Sequence, residues 1–459
     1  MSQKSKTVFV CEVCGHESPK WFGQCPACHE WNSAREIEKK TSRTRQEHKQ
    51  ISTEGFVDIA QVPEQSTLRF ASVFSQLDRV LGGGIVPGSV VLLGGDPGVG
   101  KSTLLTQVCT GYPYSFYFSG EESPAQIRLR VQRLRQENVG TFKVLTSGYL
   151  DEALSLLTNH HAEEIGSGKA LLVVDSIQTM QTSRVSSLPG GAVQIRECAS
   201  ELVAFAKQTQ VPVMIVAHVT KSGLIAGPKL IEHLVDVVLY FEGERDTDLR
   251  ILRGMKNRFG PTNEIGIFEM AEQGLAQVDD PSERFYDRES GLSGNALGVV
   301  LEGSTPLVVE VQGLVVKTEY STPRRLSKGI DPERLALISA VLTKRLGFPV
   351  DGHDMYLNLL GGLKVKDPGV EFPLAVSLFS SFTDIPAPHL SAFFGEVGLD
   401  GKIRPVSYPE KRIMELQRLG FQQAFVPAGT KKRLSKAPTL RVFEFSLLSE
   451  ALRFFTQNS

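Results

Sequence analysis

No run of about 18 apolar residues, the length that crosses a bilayer, occurs anywhere in the 459-residue chain. Its first residues, MSQKSKTVFVCEVC, have none of a signal peptide's long apolar stretch, so a soluble, cytoplasmic protein with no membrane partner is expected. Excess charge is missing too. Fifty Lys plus Arg face 51 Asp plus Glu, a net charge of -1, so a polyanion has to be held by local basic patches. There is no internal repeat. With 41% hydrophobic and 22% charged residues, wholesale disorder, collagen and a coiled coil are excluded, and the length predicts roughly two to four domains. Cysteine is scarce and unevenly placed: four of the six crowd the N-terminus, while Cys109 and Cys198 stand alone in apolar surroundings. That distribution suits a metal better than a disulfide scaffold.

The crowded four form two pairs, Cys11-x2-Cys14 and Cys25-x2-Cys28, with ten residues between them. Each C-x-x-C knuckle aims two sulfurs at one tetrahedral ion, so residues 1–33 are expected to be a structural zinc ribbon. Gly15 and Pro26 supply tight turns, and both tryptophans, Trp21 and Trp31, fall here with Phe22 to cover the site. Four thiolates close the coordination sphere, so Zn2+ would contribute folding free energy rather than catalysis. Residues 34–55, rich in basic side chains and without apolar periodicity, are expected to be a solvated linker.

From 56 to 275 the apolar runs VVLL, SFYF, ALLVV, VMIVA and VVLYF alternate with helical stretches, the pattern of a parallel sheet flanked by helices. The strand SVVLLGG runs into GDPGVGKS, which fits G-x-x-x-x-G-K-[ST] and is followed by a helix start. In such a P-loop the backbone of Gly95, Asp96, Pro97, Gly98, Val99 and Gly100 wraps the phosphates of ATP. Lys101 reaches the terminal phosphates, Ser102 offers a hydroxyl to Mg2+, and Thr103 lies nearby. ALLVVDS ends at Asp175, placed to hold the Mg2+ shell through water. SFYFSGEES ends at Glu121 and Glu122, one of which is expected to activate the attacking water, and PVMIVAH ends at His218, a candidate γ-phosphate sensor.

QLDRVLGGG before the P-loop strand, the Glu pair and the Asp resemble the RecA-like ATPase core. With KNRFG at 256–260 and the N-terminal C-x-x-C pairs, nearly the whole chain resembles the bacterial RadA (Sms) family. The resemblance implies a hexameric ring ATPase that moves on single-stranded and branched DNA and promotes branch migration of recombination intermediates alongside RecA. The expected activity is therefore a DNA-dependent ATPase in repair and recombination. A KaiC-like regulatory ATPase that switches protein contacts is the alternative. In a ring, Arg258 would act as an arginine finger toward the neighbouring subunit's ATP with Lys256 as a second cation; contact with DNA phosphate or a solvated hairpin remains open for KNRFG. Two loops, 181–197 and 220–229, could line a DNA channel, with Arg184, Arg196, Lys221 and Lys229 as phosphate contacts. Neither holds an aromatic, which favours backbone-led, sequence-tolerant binding.

A second linker is expected at 276–288, and 289–459 forms a separate α/β domain. From Leu335 it resembles the proteolytic domain of Lon protease, most clearly in GEVGLDGKIRPVSYPEKR at 395–412. Lon enzymes use a Ser-Lys dyad. The serine motif falls here on KDPGVEFP, 366–373, which has no serine, and the lysine position falls at or near Glu410; Lys402 and Lys411 remain close by. The expectation is a scaffold without protease activity that closes the ring and binds duplex DNA through Lys328, Arg334, Lys344, Arg345 or Lys364. The fold class read from sequence is thus α/β throughout: zinc ribbon, RecA-like P-loop core, Lon-protease-like domain.

Overall fold

The computed structural model describes residues 6–11, 16–27, 29–39, 69–134, 140–218, 230–243, 248–287, 291–318 and 322–457. Two compact units emerge, Met1–Val278 and Asp279–Ser459. Among the described residues no helix is long and apolar enough to cross a membrane.

The first unit opens with a small antiparallel sheet of β1 (Lys6–Cys11), β2 (Glu17–Ser18) and β3 (Ala34–Lys39), ordered β2-β1-β3. β3 lies where the basic linker was expected to begin. Its six residues pair with β1 from Lys6↔Lys39 to Cys11↔Ala34, so the sheet continues past residue 33. Backbone pairing builds this strand, and the charged sequence AREIEK conceals it.

The core is a nine-stranded sheet in the order β12-β11-β10-β9-β4-β8-β7-β5-β6. Its strands are β4 (Val90–Gly95), β5 (Tyr114–Ser119), β6 (Thr141–Leu145), β7 (Ala170–Asp175), β8 (Val213–His218), β9 (Val237–Glu242), β10 (Leu249–Asn257), β11 (Ile265–Ala271) and β12 (Gly274–Gln277). The half from β9 to β6 is parallel, and β10, β11 and β12 extend it as antiparallel hairpins. All five apolar runs are central strands. Because side chains alternate across a strand, Val90 and Leu92 of β4 enter one core, with Leu172, Val174 and Ile215, while Val91 and Leu93 enter the other, with Val173, Met214 and Leu239. Burial on both faces explains why these strands read as continuous aliphatic runs. The flanking helices are α1 (Ser75–Val80), α2 (Lys101–Thr110), α3 (Pro124–Arg133), α4 (Leu150–His160), α5 (Ala162–Gly166) and α6 (Ala192–Thr209). A capping box between Ser123 and Gln126 starts α3 directly after the Glu pair.

The expected second linker is largely structured. β12 closes the core sheet through Gln277, and Pro281–Arg284 forms a 3-10 turn within the second unit. Phe285 is fully buried, and its carbonyl accepts the N–H of Glu310 at 2.7 Å. A buried aromatic anchors what its polar neighbours made look solvated.

In the second unit β13 (Asn295–Glu302) and β14 (Thr305–Lys317) form a long hairpin, followed by β15 (Arg325–Lys328), β16 (His353–Leu359), β17 (Ser391–Phe393), the pair β18 (Glu396–Val397) and β19 (Ile403–Arg404), β20 (Gln423–Pro427) and β21 (Arg441–Phe445). The main sheet runs β15-β16-β14-β13-β17-β20-β21. Its helices are α7 (Pro332–Leu346), α8 (Glu371–Thr383), α9 (Pro409–Arg418) and α10 (Leu448–Gln457).

Candidate nucleotide site

The P-loop joins β4 to α2, and the sheet's geometry demands its glycines. Gly100 sits at φ +109, and a Cβ there would meet the Met270 side chain at 2.8 Å. Lys101, the first residue of α2, is almost wholly buried; its Nζ donates to the carbonyls of Gly95 at 2.8 Å and Asp96 at 2.9 Å. Burial pushes this ammonium down to about 8, against the attraction of Asp175, Asp96 and Glu121. A buried cation at a helix N-terminus beside a glycine-rich loop suits phosphate, so these residues fit a nucleoside triphosphate. The Arg250 guanidinium, on β10, supports the same loop through Nε to the Val99 carbonyl at 3.2 Å.

Asp175 and His218 end β7 and β8 and Glu121 follows β5, and the parallel sheet places them at one edge because Ser119 pairs with Asp175 while Gly95 pairs with His218. The Tyr117 hydroxyl donates to Asp175 Oδ2. Ser176 Oγ donates to Glu121 Oε1 at 2.6 Å, and His218 Nε2 lies 3.3 Å from the same oxygen. Both ring nitrogens of His218 are buried without an aligned hydrogen bond. Glu122 turns away: Oε1 pairs with Arg130 of α3, and its N–H is held by Ser119 Oγ at 3.0 Å. The Glu pair therefore divides into Glu121, facing Ser176 and His218, and Glu122, tied to α3. Tyr117, Ser176 and Arg130 escaped sequence reasoning. Ser176, next to Asp175, is the one whose position in ALLVVDS could have signalled it.

Beyond β7 the loop expected over 181–197 is shorter. Residues 192–197 already belong to α6, so Arg196 stands on a helix. Gln194 clasps what remains: Nε2 donates to the carbonyls of Val185 and Ser187, both at 3.0 Å, and Oε1 accepts the Thr182 N–H at 2.9 Å. Arg184 is not a free cation; its Nε is 3.1 Å from Oε1 of buried Glu201, which also accepts the Thr182 hydroxyl. Burial holds the Glu201 carboxyl above the usual range. Lys221 and Lys229 lie outside the described residues.

In KNRFG, Lys256 Nζ donates to the Glu232 and Val235 carbonyls, both at 2.8 Å, which ties it to the turn before β9. Arg258 pairs with Asp236 at 3.2 Å yet leaves its side chain 51% exposed. Of the two cations, Arg258 is the one offered outward.

Models of known families match all three regions: a rubredoxin metal binding domain at residues 9–36, an AAA domain at 56–223 and the ChlI subunit of Mg-chelatase at 333–430. The chain is 42% identical to the DNA repair protein RadA of Bacillus subtilis (strain 168), covering 98% of each chain. It is 43% identical to RadA of Synechocystis sp., covering 93% of this chain and 90% of that one, and 41% identical to RadA of Haemophilus influenzae, covering 98% and 99%. The chain belongs to the RadA family of DNA repair proteins. Its architecture is therefore a zinc ribbon, a RecA-like ATPase and a Lon-like domain, and it is an ATP-binding, ATP-hydrolysing repair protein.

In this RadA-family chain Cys11 and Cys25 are buried, and the His29 N–H closes a turn on the Cys25 carbonyl at 2.8 Å. Buried thiols in a turn fit a thiolate-bound ion; Cys14 and Cys28 lie outside the described residues. In the Lon-like unit, KDPGVEFP forms a 3-10 turn leading into α8. Asp367 Oδ2 accepts the Leu301 N–H and pairs at 2.7 Å with Arg412, whose side chain is fully buried. A Cβ on Gly369 would stand 2.6 Å from Arg412 Nη1. Glu410 accepts the Ser435 hydroxyl, and Lys411 Nζ donates to the Ser304 carbonyl at 3.3 Å. Arg334 donates to the Asp367 carbonyl at 2.9 Å and Arg345 to the Leu399 carbonyl at 3.1 Å, so these two expected DNA contacts also serve their own fold.

Proposed function

We propose that this RadA-family protein is a DNA-dependent ATP motor that promotes branch migration of recombination intermediates. The observation carrying this reading is the shared strand edge. Glu121 touches both Ser176 and His218, and the two segments expected to meet DNA follow these residues in the chain, after β7 and after β8. Loss of a γ-phosphate beside Glu121 can thus be felt where DNA would sit.

In this mechanism Lys101 and the P-loop amides bind the β- and γ-phosphates, and α2 adds its favourable N-terminal field. Ser102 and Asp175 are the residues that would hold Mg2+, which when bound offsets phosphate charge. Glu121 accepts a proton from the attacking water, and Ser176 orients its carboxylate. Arg258 acts on the neighbouring subunit in a ring, most simply a hexamer, and RecA is the expected partner on DNA. The Lon-like unit serves as a scaffold, since its turn at 366–373 offers a buried ion pair where a dyad would need a nucleophile. ATP turnover measured with and without single-stranded DNA, alongside strand displacement on forked and three-stranded substrates, tests the reading. Turnover indifferent to DNA, with no displacement, would refute it.

A further inference from the structure

One residue at this edge breaks the chemistry of its surroundings. Across the parallel sheet the row beside Tyr117 reads Val144, Tyr117, Val173, Met214, Val91 and Val237, all aliphatic except the phenol. Tyr117 is fully buried and Asp175 nearly so. A hydroxyl placed in an aliphatic row without a partner is unfavourable, so packing alone favours phenylalanine. The register supplies the reason for tyrosine. Tyr117 pairs with Val173 and Ser119 with Asp175, so Tyr117 and Asp175 share a sheet face one pleat apart, and the phenol reaches the carboxylate diagonally.

We propose that Tyr117 is the positioning residue of the nucleotide site, its phenol fixing Asp175 Oδ2 so that Oδ1 is turned to the hydration shell of nucleotide-bound Mg2+. Without that hold, the carboxylate is drawn toward the Lys101 ammonium, which Asp175 already pulls on through space. Collapse of Asp175 onto Lys101 would withdraw from the phosphates both the cation and the acceptor of the metal's waters. In the structure Lys101 instead rests on the Gly95 and Asp96 carbonyls, and Asp175 is tethered on its other side.

The inference rests on the reading of Asp175 as a Mg2+-shell residue, and the test separates the two. Tyr117→Phe keeps the ring, including its contact with Phe142 at 5.8 Å between centroids, and removes one oxygen. Equilibrium binding of a fluorescent N-methylanthraniloyl ATP is measured on the full-length chain, first in EDTA and then across a Mg2+ titration. Tyr117→Phe should bind as wild type in EDTA but need about tenfold more Mg2+ for half-maximal gain, the order expected for losing a hydrogen bond to a charged group. Asp175→Asn, run in parallel, should shift the same titration. A shift with Asp175→Asn and none with Tyr117→Phe overturns the positioning role alone. No shift with Asp175→Asn overturns the Asp175 reading beneath it. A Tyr117→Phe chain that loses its cooperative melt makes the phenol a structural support, and the positioning role falls.

Discussion

Lys101→Met should make the nucleotide-free ATPase core more stable while removing its chemistry. The ammonium is 3% exposed, and burial brings it from an ordinary 10.5 to about 8. At about 1.4 kcal/mol per tenfold, that displacement corresponds to about 3 kcal/mol of strain in the charged, nucleotide-free state. Methionine keeps the unbranched shape and drops the charge, at the cost of two hydrogen bonds to the Gly95 and Asp96 carbonyls, so the net gain near pH 7 should be about 1–3 kcal/mol. The sign follows from proton linkage. Below pH 8 both native and unfolded lysine are protonated and the full strain is present. Between about 8 and 10.5 the unfolded chain binds more protons than the native one, so wild-type stability rises with pH toward that of the variant. Urea unfolding in EDTA, read on the core's transition, should show a midpoint roughly 0.5–1 M higher for the variant at pH 7, with the gap closing as pH rises until wild type equals or overtakes the variant by about pH 10.5. A variant equal to or weaker than wild type at pH 7, or a gap independent of pH, would refute the argument.

Glu121→Gln should retain ATP binding and lower turnover by about 10²- to 10⁴-fold, as loss of a general base does, whereas Glu122→Gln should be far milder because Glu122 is bound to Arg130; equal losses in single-turnover assays would reverse the assignment. Arg258→Ala should bind ATP yet hydrolyse about 10³- to 10⁵-fold more slowly, and mixing with Lys101→Ala subunits should restore part of the activity at mixed interfaces. No recovery in rings shown to exchange subunits would place Arg258 in cis or on DNA. In the Lon-like unit, Asp367→Ala should cost about 3–5 kcal/mol by stranding the Arg412 charge, while Asp367→Leu with Arg412→Met should recover most of it; calorimetry of that unit's transition decides.

The central strands and the P-loop were readable because both leave dense local patterns: aliphatic runs buried on two faces, and glycines spaced around a lysine. β6 was missed since TFKVL sits at the sheet edge with no fully buried residue and so shows no aliphatic run. β3 was hidden by charged residues that a backbone ladder tolerates. The residues tuning the site were less visible still. Tyr117 and Arg130 act across strands or helices on partners 58 and 8 positions away, and only the fold brings them together. The Glu pair shows the same limit: adjacent in sequence, its members face different partners, and nothing in EES says which one turns to Ser176.

The Asp367–Arg412 pair bears on how the Lon-like unit of this chain can change over time. A side chain at 369 would crowd the guanidinium, and removing the guanidinium alone would leave Asp367 without its cation. A change at any one of these three positions thus disturbs the other two first. Such a lock couples three positions: substitutions on the surface of this unit stay open, while 367, 369 and 412 can change only together.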